Sequence, residues 1–130
     1  MANWTDLTED NGFNRLAQTH RYIAAACALL PLPVHIQPIR NGARIGDVID
    51  DIARVAKIID ENPLPEAVQA SVFTSCTYWL AAVEVFANYL ASPAEYRANA
   101  FAMLILDSEL SLKMATEWLA SEANDEIDNG

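Results

Sequence analysis

Six prolines, grouped at three places, divide this chain into four segments. The groups are residues 31–38, residues 63–65 and Pro93. Proline fixes its own φ angle and removes a backbone N–H donor, so a regular helix does not continue through any of the three. Within the segments, apolar side chains recur at steps of three and four, and no run alternates apolar with polar residues as a half-buried strand does. The chain is therefore predicted to be all-α.

The apolar spacing predicts four helices, at about residues 12–30, 43–61, 65–91 and 93–120. Asp10 or Asn11 is the predicted N-cap of the first helix, and Ser92 with Glu95 has the spacing of a capping box at the start of the fourth. The third and fourth helices are separated by about two residues, which favours an αα-hairpin. At 130 residues the chain has the size of one domain. We predict a single four-helix bundle-like domain over residues 1–120, followed by a flexible acidic tail over residues 121–130.

The third and fourth helices have more apolar surface than the other two can cover. The third is apolar nearly all round, with Glu84 as an isolated charge within it, and the fourth carries two apolar stripes. One stripe consists of Ala100, Met103, Leu104, Leu110, Met114 and Trp118, and the other of Phe101, Ile105, Ser108, Leu112, Ala115 and Leu119. The first two helices each offer one apolar face, which leaves part of this apolar surface uncovered. We therefore expect a homodimer or higher oligomer, unless the proline connector at residues 31–38 covers that surface. The predicted interface residues are Phe73, Glu84, Tyr89, Phe101, Ile105 and Leu112.

The third segment also has the length of a membrane span, which needs about 20 mostly apolar residues. Several polar residues interrupt it and neither end has a basic cluster, so the central helix of a soluble bundle is the prediction. The first residues include acids rather than the basic residues of a secretory signal. Cys27 and Cys76 lie far apart in apolar runs, as reduced core thiols do. We therefore expect a cytoplasmic protein with no membrane contact.

The net negative charge of the chain comes entirely from its second half. Residues 1–57 have six acidic and six basic residues, whereas residues 58–130 have twelve acidic residues against Arg97 and Lys113, which accounts for the net charge of −10. A surface of that sign repels nucleic acid and attracts basic proteins. A basic protein partner is predicted, and direct nucleic-acid binding is not.

Two groups of charged residues near the start of the second helix are candidates for chemistry. Asp47, Asp50 and Asp51 lie on adjacent turns, as carboxylates that hold Mg²⁺ do, although no second acidic set is evident on another helix. Arg40 and Arg44 lie beside two glycines before this helix, where backbone N–H groups and guanidinium groups together would bind an anion. The segment lacks the Gly-Lys-Ser/Thr ending of a nucleotide-binding loop.

No catalytic residue and no cofactor is predicted. The sequence contains no Glu-x-x-His or Cys-x-x-Cys motif, and His20 lies on the apolar stripe of the first helix, as a packed histidine would. The favoured interpretation is a non-catalytic protein-binding domain, an acidic inhibitor, neutraliser or adaptor of the phage or bacterial type, by analogy alone. The alternatives are a small metal-dependent phosphohydrolase that uses the aspartate cluster and a structural subunit of a homo-oligomer.

Overall fold

The computed structural model describes residues 7–40 and 44–129, with side chains as far as residue 125. In this part of the chain the helices are α1 (Glu9–Ala28), α2 (Ile45–Ile58), α3 (Glu66–Ala91) and α4 (Glu95–Asn129), and a 3₁₀ turn, Ile59–Glu61, follows α2. The described residues contain no strand. The α3 and α4 helices pack against each other along much of their length, so the predicted all-α bundle with an α3–α4 hairpin is confirmed.

α1 begins three residues earlier than its apolar spacing predicts, because Thr8 is its N-cap. The Thr8 side-chain oxygen accepts a hydrogen bond from the Asn11 backbone N–H at 3.2 Å, and the Asn11 side-chain oxygen accepts one from the Thr8 backbone N–H at 2.7 Å. This reciprocal capping box satisfies two backbone donors. The predicted caps, Asp10 and Asn11, are thus both inside the helix, where Glu9 and Asp10 face the positive end of the helix dipole.

The connector between α1 and α2 covers part of the core. Ile36 is buried, Val34 packs against the core, and Leu32 is 55% exposed. The Asn62 side chain fixes this path because it accepts from the Leu32 backbone N–H at 2.8 Å and donates to the Leu32 carbonyl at 3.2 Å. Val34 and Ile36 of the connector therefore contribute to the core of the single chain, whereas Leu32 does not.

Serines hold α3 and α4 together in register. The Ser75 hydroxyl donates to the Ser108 carbonyl and the Ser108 hydroxyl donates to the Ser75 carbonyl, each at 2.8 Å. One turn away, the Ser71 hydroxyl donates to the Ser111 carbonyl. Because the distance between packed helices depends on the side chains at their contact, these small residues let the two backbones approach closely.

α3 is the central helix, since it contacts α1, α2 and α4. Trp79 at its middle is fully buried, and its indole N–H donates to the Leu16 carbonyl of α1 at 3.0 Å. By length and composition alone, α3 is also long and apolar enough to cross a membrane. This is weak evidence for a span, because the core helix of a soluble protein has the same properties, and Val72, Cys76 and Trp79 are buried between helices here.

α4 starts at Glu95, two residues after the predicted position, with the Ala94 carbonyl accepting from the backbone N–H groups of Arg97 and Ala98. It continues to Asn129, so residues 121–129 of the segment predicted as a tail are helical. Residues 120–125 are all exposed. α4 therefore extends beyond the hairpin as an acidic helix end, and the predicted flexibility of this segment stays a prediction.

Candidate functional site

The three aspartates of α2 lie in different environments. Asp47 and Asp50 are exposed, whereas Asp51 accepts from the Gln37 backbone N–H at 3.3 Å and lies 3.5 Å from the Arg54 guanidinium. Across the described residues, no group of three or more His, Cys, Asp or Glu side chains is placed to hold a metal ion. The role of Asp51 in the structure is to attach the connector to α2.

The two arginines of the predicted anion site are both exposed. Arg44 is the N-cap residue of α2, where its carbonyl accepts from the Asp47 and Val48 backbone N–H groups. The three residues between Arg40 and Arg44 lie outside the described residues. Anion binding at this position stays a prediction.

His20 and the two cysteines are core residues. His20 is 1% exposed, and its ring centroid lies 5.7 Å from that of Trp79. Burial lowers the pKa of His20, Asp51 opposes this shift, and Arg21 adds to it. Burial also raises the pKa of Cys27 to about 12 and that of Cys76 further. Since the thiolate is the reactive form of cysteine, these thiols are poor nucleophiles.

Glu109, which we did not single out in the sequence, is the acid that joins α4 to α1. Its Oε1 accepts from the Thr19 hydroxyl at 2.9 Å and lies 3.6 Å from the Arg15 guanidinium. Glu84, the acid that we did single out, is exposed on α3. Arg15 and Thr19 are four residues apart on one face of α1, but the sequence does not show which acid of another helix meets that face.

The prediction that Phe101, Ile105 and Leu112 face a partner is wrong, because all three are buried within the chain, at 0%, 0% and 3% exposure. They belong to the α4 stripe that packs on α3 around the serine pair. Tyr89 is half-buried and its hydroxyl donates to the Leu7 carbonyl at 2.9 Å. Phe73 remains 49% exposed. The outward-facing stripe of α4 is therefore the one that contains Met103, Leu110 and Met114.

Three residues of that stripe, together with Leu106, form a row of exposed apolar side chains along α4. Met103, Leu106, Leu110 and Met114 are 64%, 52%, 58% and 49% exposed, and we call them the α4 row. Their spacing of three, four and four residues places them on one helix face. A row of this kind is more apolar than the polar face that a surface helix usually turns to water.

A groove of about 410 Å³ runs beside the α4 row, between α1 and α4. Small side chains, Ala25 and Ala26, lie on its α1 side, and Glu109, Lys113 and Glu117 supply its charged groups. We call it the α1–α4 groove. Its lining residues are Tyr22, Ala25, Ala26, Leu29, Leu106, Glu109, Leu110, Leu112, Lys113, Thr116 and Glu117.

The charge along this surface becomes one-sided toward the end of α4. Lys113 pairs with Glu117 at 4.0 Å. Beyond Lys113 the sequence has five acidic residues and no basic residue. The C-terminal end of a helix is itself negative, so these acids raise the local negative potential further.

No protein-family model, curated protein or solved structure matches this chain. Its function is therefore inferred from its own surface. The α4 row and the α1–α4 groove are adjacent and share Leu106 and Leu110, which makes them one continuous candidate surface.

Proposed function

We propose that this protein is a non-catalytic, cytoplasmic protein-binding domain that docks a basic partner, as an inhibitor, neutraliser or adaptor does. The observation that carries the proposal is the α4 row, in which four large apolar side chains are about half-exposed or more. Adjacent exposed apolar side chains bordered by charged residues are typical of protein interaction sites.

Burial of the α4 row alone does not supply enough binding free energy for a stable complex. Burying a leucine or methionine completely stabilises by about 1.5–3 kcal/mol, so covering the exposed half contributes roughly 1 kcal/mol per residue and about 4 kcal/mol for the row. Association costs about 4–15 kcal/mol. A stable complex therefore also needs the groove and charge complementarity, which the net charge of −10 offers to a basic partner.

A synthetic probe tests this proposal. The probe is a fluorescent leucine–lysine amphipathic peptide of about 18 residues, or five helical turns, compared with a leucine–glutamate peptide of the same pattern. We expect the lysine peptide to bind and rising salt to weaken it, because salt screens the charge attraction. Leu110→Gln should weaken binding about tenfold, which corresponds to 1.4 kcal/mol.

The matched control is Leu32→Gln, because Leu32 is 55% exposed and Leu110 is 58% exposed, but Leu32 lies in the connector. We expect this variant to bind the lysine peptide as the wild type does. Equal affinity of wild type and Leu110→Gln, or equal affinity for the two peptides, contradicts the proposal.

A structural homo-oligomer is the second candidate, and the same α4 row favours it. Two copies with a charge of −10 each repel one another, so salt should strengthen self-association and weaken binding of a basic partner. Light scattering across a salt series separates the two, because a mass that stays at 14.3 kDa argues against the oligomer. The phosphohydrolase alternative predicts that millimolar Mg²⁺ raises the melting temperature, which we do not expect.

A further inference from the structure

The α1–α4 groove has the walls of a site for one more helix. On α1 and its C-cap residue Leu29, the lining residues Tyr22, Ala25, Ala26 and Leu29 have the spacing of one helix face. The lining residues of α4 from Leu106 to Glu117 also lie on one face. Two helix faces side by side, with small residues between larger ones, form the groove into which side chains of another helix pack. Ala25 keeps the groove open, since it is exposed between Tyr22 and Leu29.

The length of the groove fits a short helix. Leu106 and Glu117 are eleven positions apart, or about 16 Å at 1.5 Å per residue, which matches three turns of a partner helix. An extended segment that adds to a sheet edge needs unpaired strand backbone, and the described residues contain no strand. The length and the two helical walls of the groove fit the helix-in-groove mode of peptide recognition instead.

Charge determines which kind of helix is complementary. Within the groove, Glu109 is already paired with Arg15 and accepts a hydrogen bond from Thr19. Lys113 pairs with Glu117. Beyond Glu117 the charges on α4 are acidic only, and its last turn has no basic residue to offset the helix dipole. Cations beside this end of α4 therefore gain from the side-chain carboxylates and from the helix dipole together.

We infer that the α1–α4 groove binds one amphipathic α-helix of the basic partner, about three turns long, with its apolar side chains between Ala25 and Leu110 and its basic end beside Glu117 and Glu122. This inference rests on the proposed function and specifies its site. A partner that contacts only the outer edge of the α4 row, and not the groove, is inconsistent with this inference.

Filling the groove is the direct test, with the leucine–lysine peptide as the probe. Ala25→Phe places a ring in the groove and leaves the α4 row unchanged, so we expect peptide affinity to fall about tenfold or more. Ala53→Phe is the matched control, since Ala53 is exposed on α2 and does not line the groove. If Ala25→Phe binds normally while Leu110→Gln is weakened, the groove inference is overturned and the proposed function stands. If neither variant is weakened, both are overturned.

A labelling experiment does not depend on the folding of a large substitution. Cys27 and Cys76 are buried, so in Ala25→Cys the introduced thiol is the reactive one, and its maleimide labelling can be followed by mass spectrometry. With peptide at about ten times its Kd, roughly one molecule in eleven is free, and labelling should slow about tenfold. The control, Ala53→Cys, should label at an unchanged rate. No protection at position 25 by a peptide that binds overturns the inference.

Two further changes test the helix and its basic end. A peptide of the same residues with two central prolines is not helical, since each proline costs about 3 kcal/mol in a helix, and we expect it to lose binding. The double variant Glu117→Gln/Glu122→Gln should bind the helical peptide about tenfold more weakly, whereas Glu84→Gln, on an exposed part of α3, should not. Full binding by the proline peptide contradicts a helical partner. Equal losses of affinity in the double variant and in Glu84→Gln contradict the placement of the basic end beside Glu117 and Glu122.

Discussion

Replacing Gly12 by alanine should destabilise the protein, although alanine is the better helix former. Gly12 is buried in the first turns of α1, and a Cβ at this position meets the Phe86 ring of α3 at less than a van der Waals separation. The Phe86 ring is not free to move aside, since it is 6% exposed and its centroid lies 5.1 Å from that of Phe101. The added methyl group therefore has to displace either α1 or the aromatic pair.

Two opposing terms determine the size of this effect. Alanine is about 1 kcal/mol more favourable than glycine within a helix, and overpacking a core costs about 1–3 kcal/mol. Because the contact at Gly12 involves the ring itself, we expect the upper part of that range and a net loss of about 1–2 kcal/mol in the free energy of unfolding. Gly46 is the control, since a Cβ there has no atom within 4 Å, and Gly46→Ala should gain up to about 1 kcal/mol.

Urea unfolding followed by far-ultraviolet circular dichroism measures both variants. The midpoint should fall for Gly12→Ala with an unchanged m-value, and its melting temperature should fall by roughly 3–8 °C. A Gly12→Ala protein as stable as the wild type would refute the argument from the Phe86 contact. Equal losses in Gly12→Ala and Gly46→Ala would assign the effect to the helices rather than to that contact.

Three further predictions concern residues of the core. Ile105→Glu should unfold the chain rather than dissociate an oligomer, because Ile105 is fully buried and an unpaired carboxylate there costs several kcal/mol; a folded variant by circular dichroism would contradict this. Because burial lowers the pKa of folded His20, stability should be complete above the unfolded value of about 6.5 and decline as pH falls below it. His20→Gln should flatten that decline in urea titrations between about pH 7 and 5.5 and His35→Gln should not, and equal slopes in both would disprove the assignment. Cys27 and Cys76 should resist thiol reagents at about pH 8 until the protein unfolds, whereas rapid labelling of the native protein would show an open core.

The sequence predicts the helices well because their apolar spacing and the proline groups act locally. The all-α class, the α3–α4 hairpin and the presence of two apolar stripes on α4 all follow from residues near one another in the chain. Helix ends are less predictable, because several nearby polar residues compete for the same cap. At α1, Thr8 is the cap although Asp10 and Asn11 lie closer to the first apolar residue of the stripe.

The candidate site was predicted only in part, because it depends on which helix faces meet. Both stripes of α4 are similarly apolar, and the inward one is the stripe that contains Ser108, whose partner on α3 is Ser75. A serine within an apolar stripe lowers its hydrophobicity but permits close packing, so hydrophobicity alone does not identify the inward face. The role of Glu109 also depends on tertiary structure, because its contact with Thr19 forms only when α1 lies beside α4.

The exchange of hydrogen bonds between Ser75 and Ser108 has an evolutionary consequence. Each hydroxyl donates to the other residue's backbone carbonyl, the two hydroxyl oxygens are 3.2 Å apart, and both side chains are fully buried between the helices. A larger residue at either position would push α3 from α4 and remove the bond made by its partner. Substitutions at positions 75 and 108 are therefore expected to be coupled, with descendants of this chain keeping both small residues or changing both together.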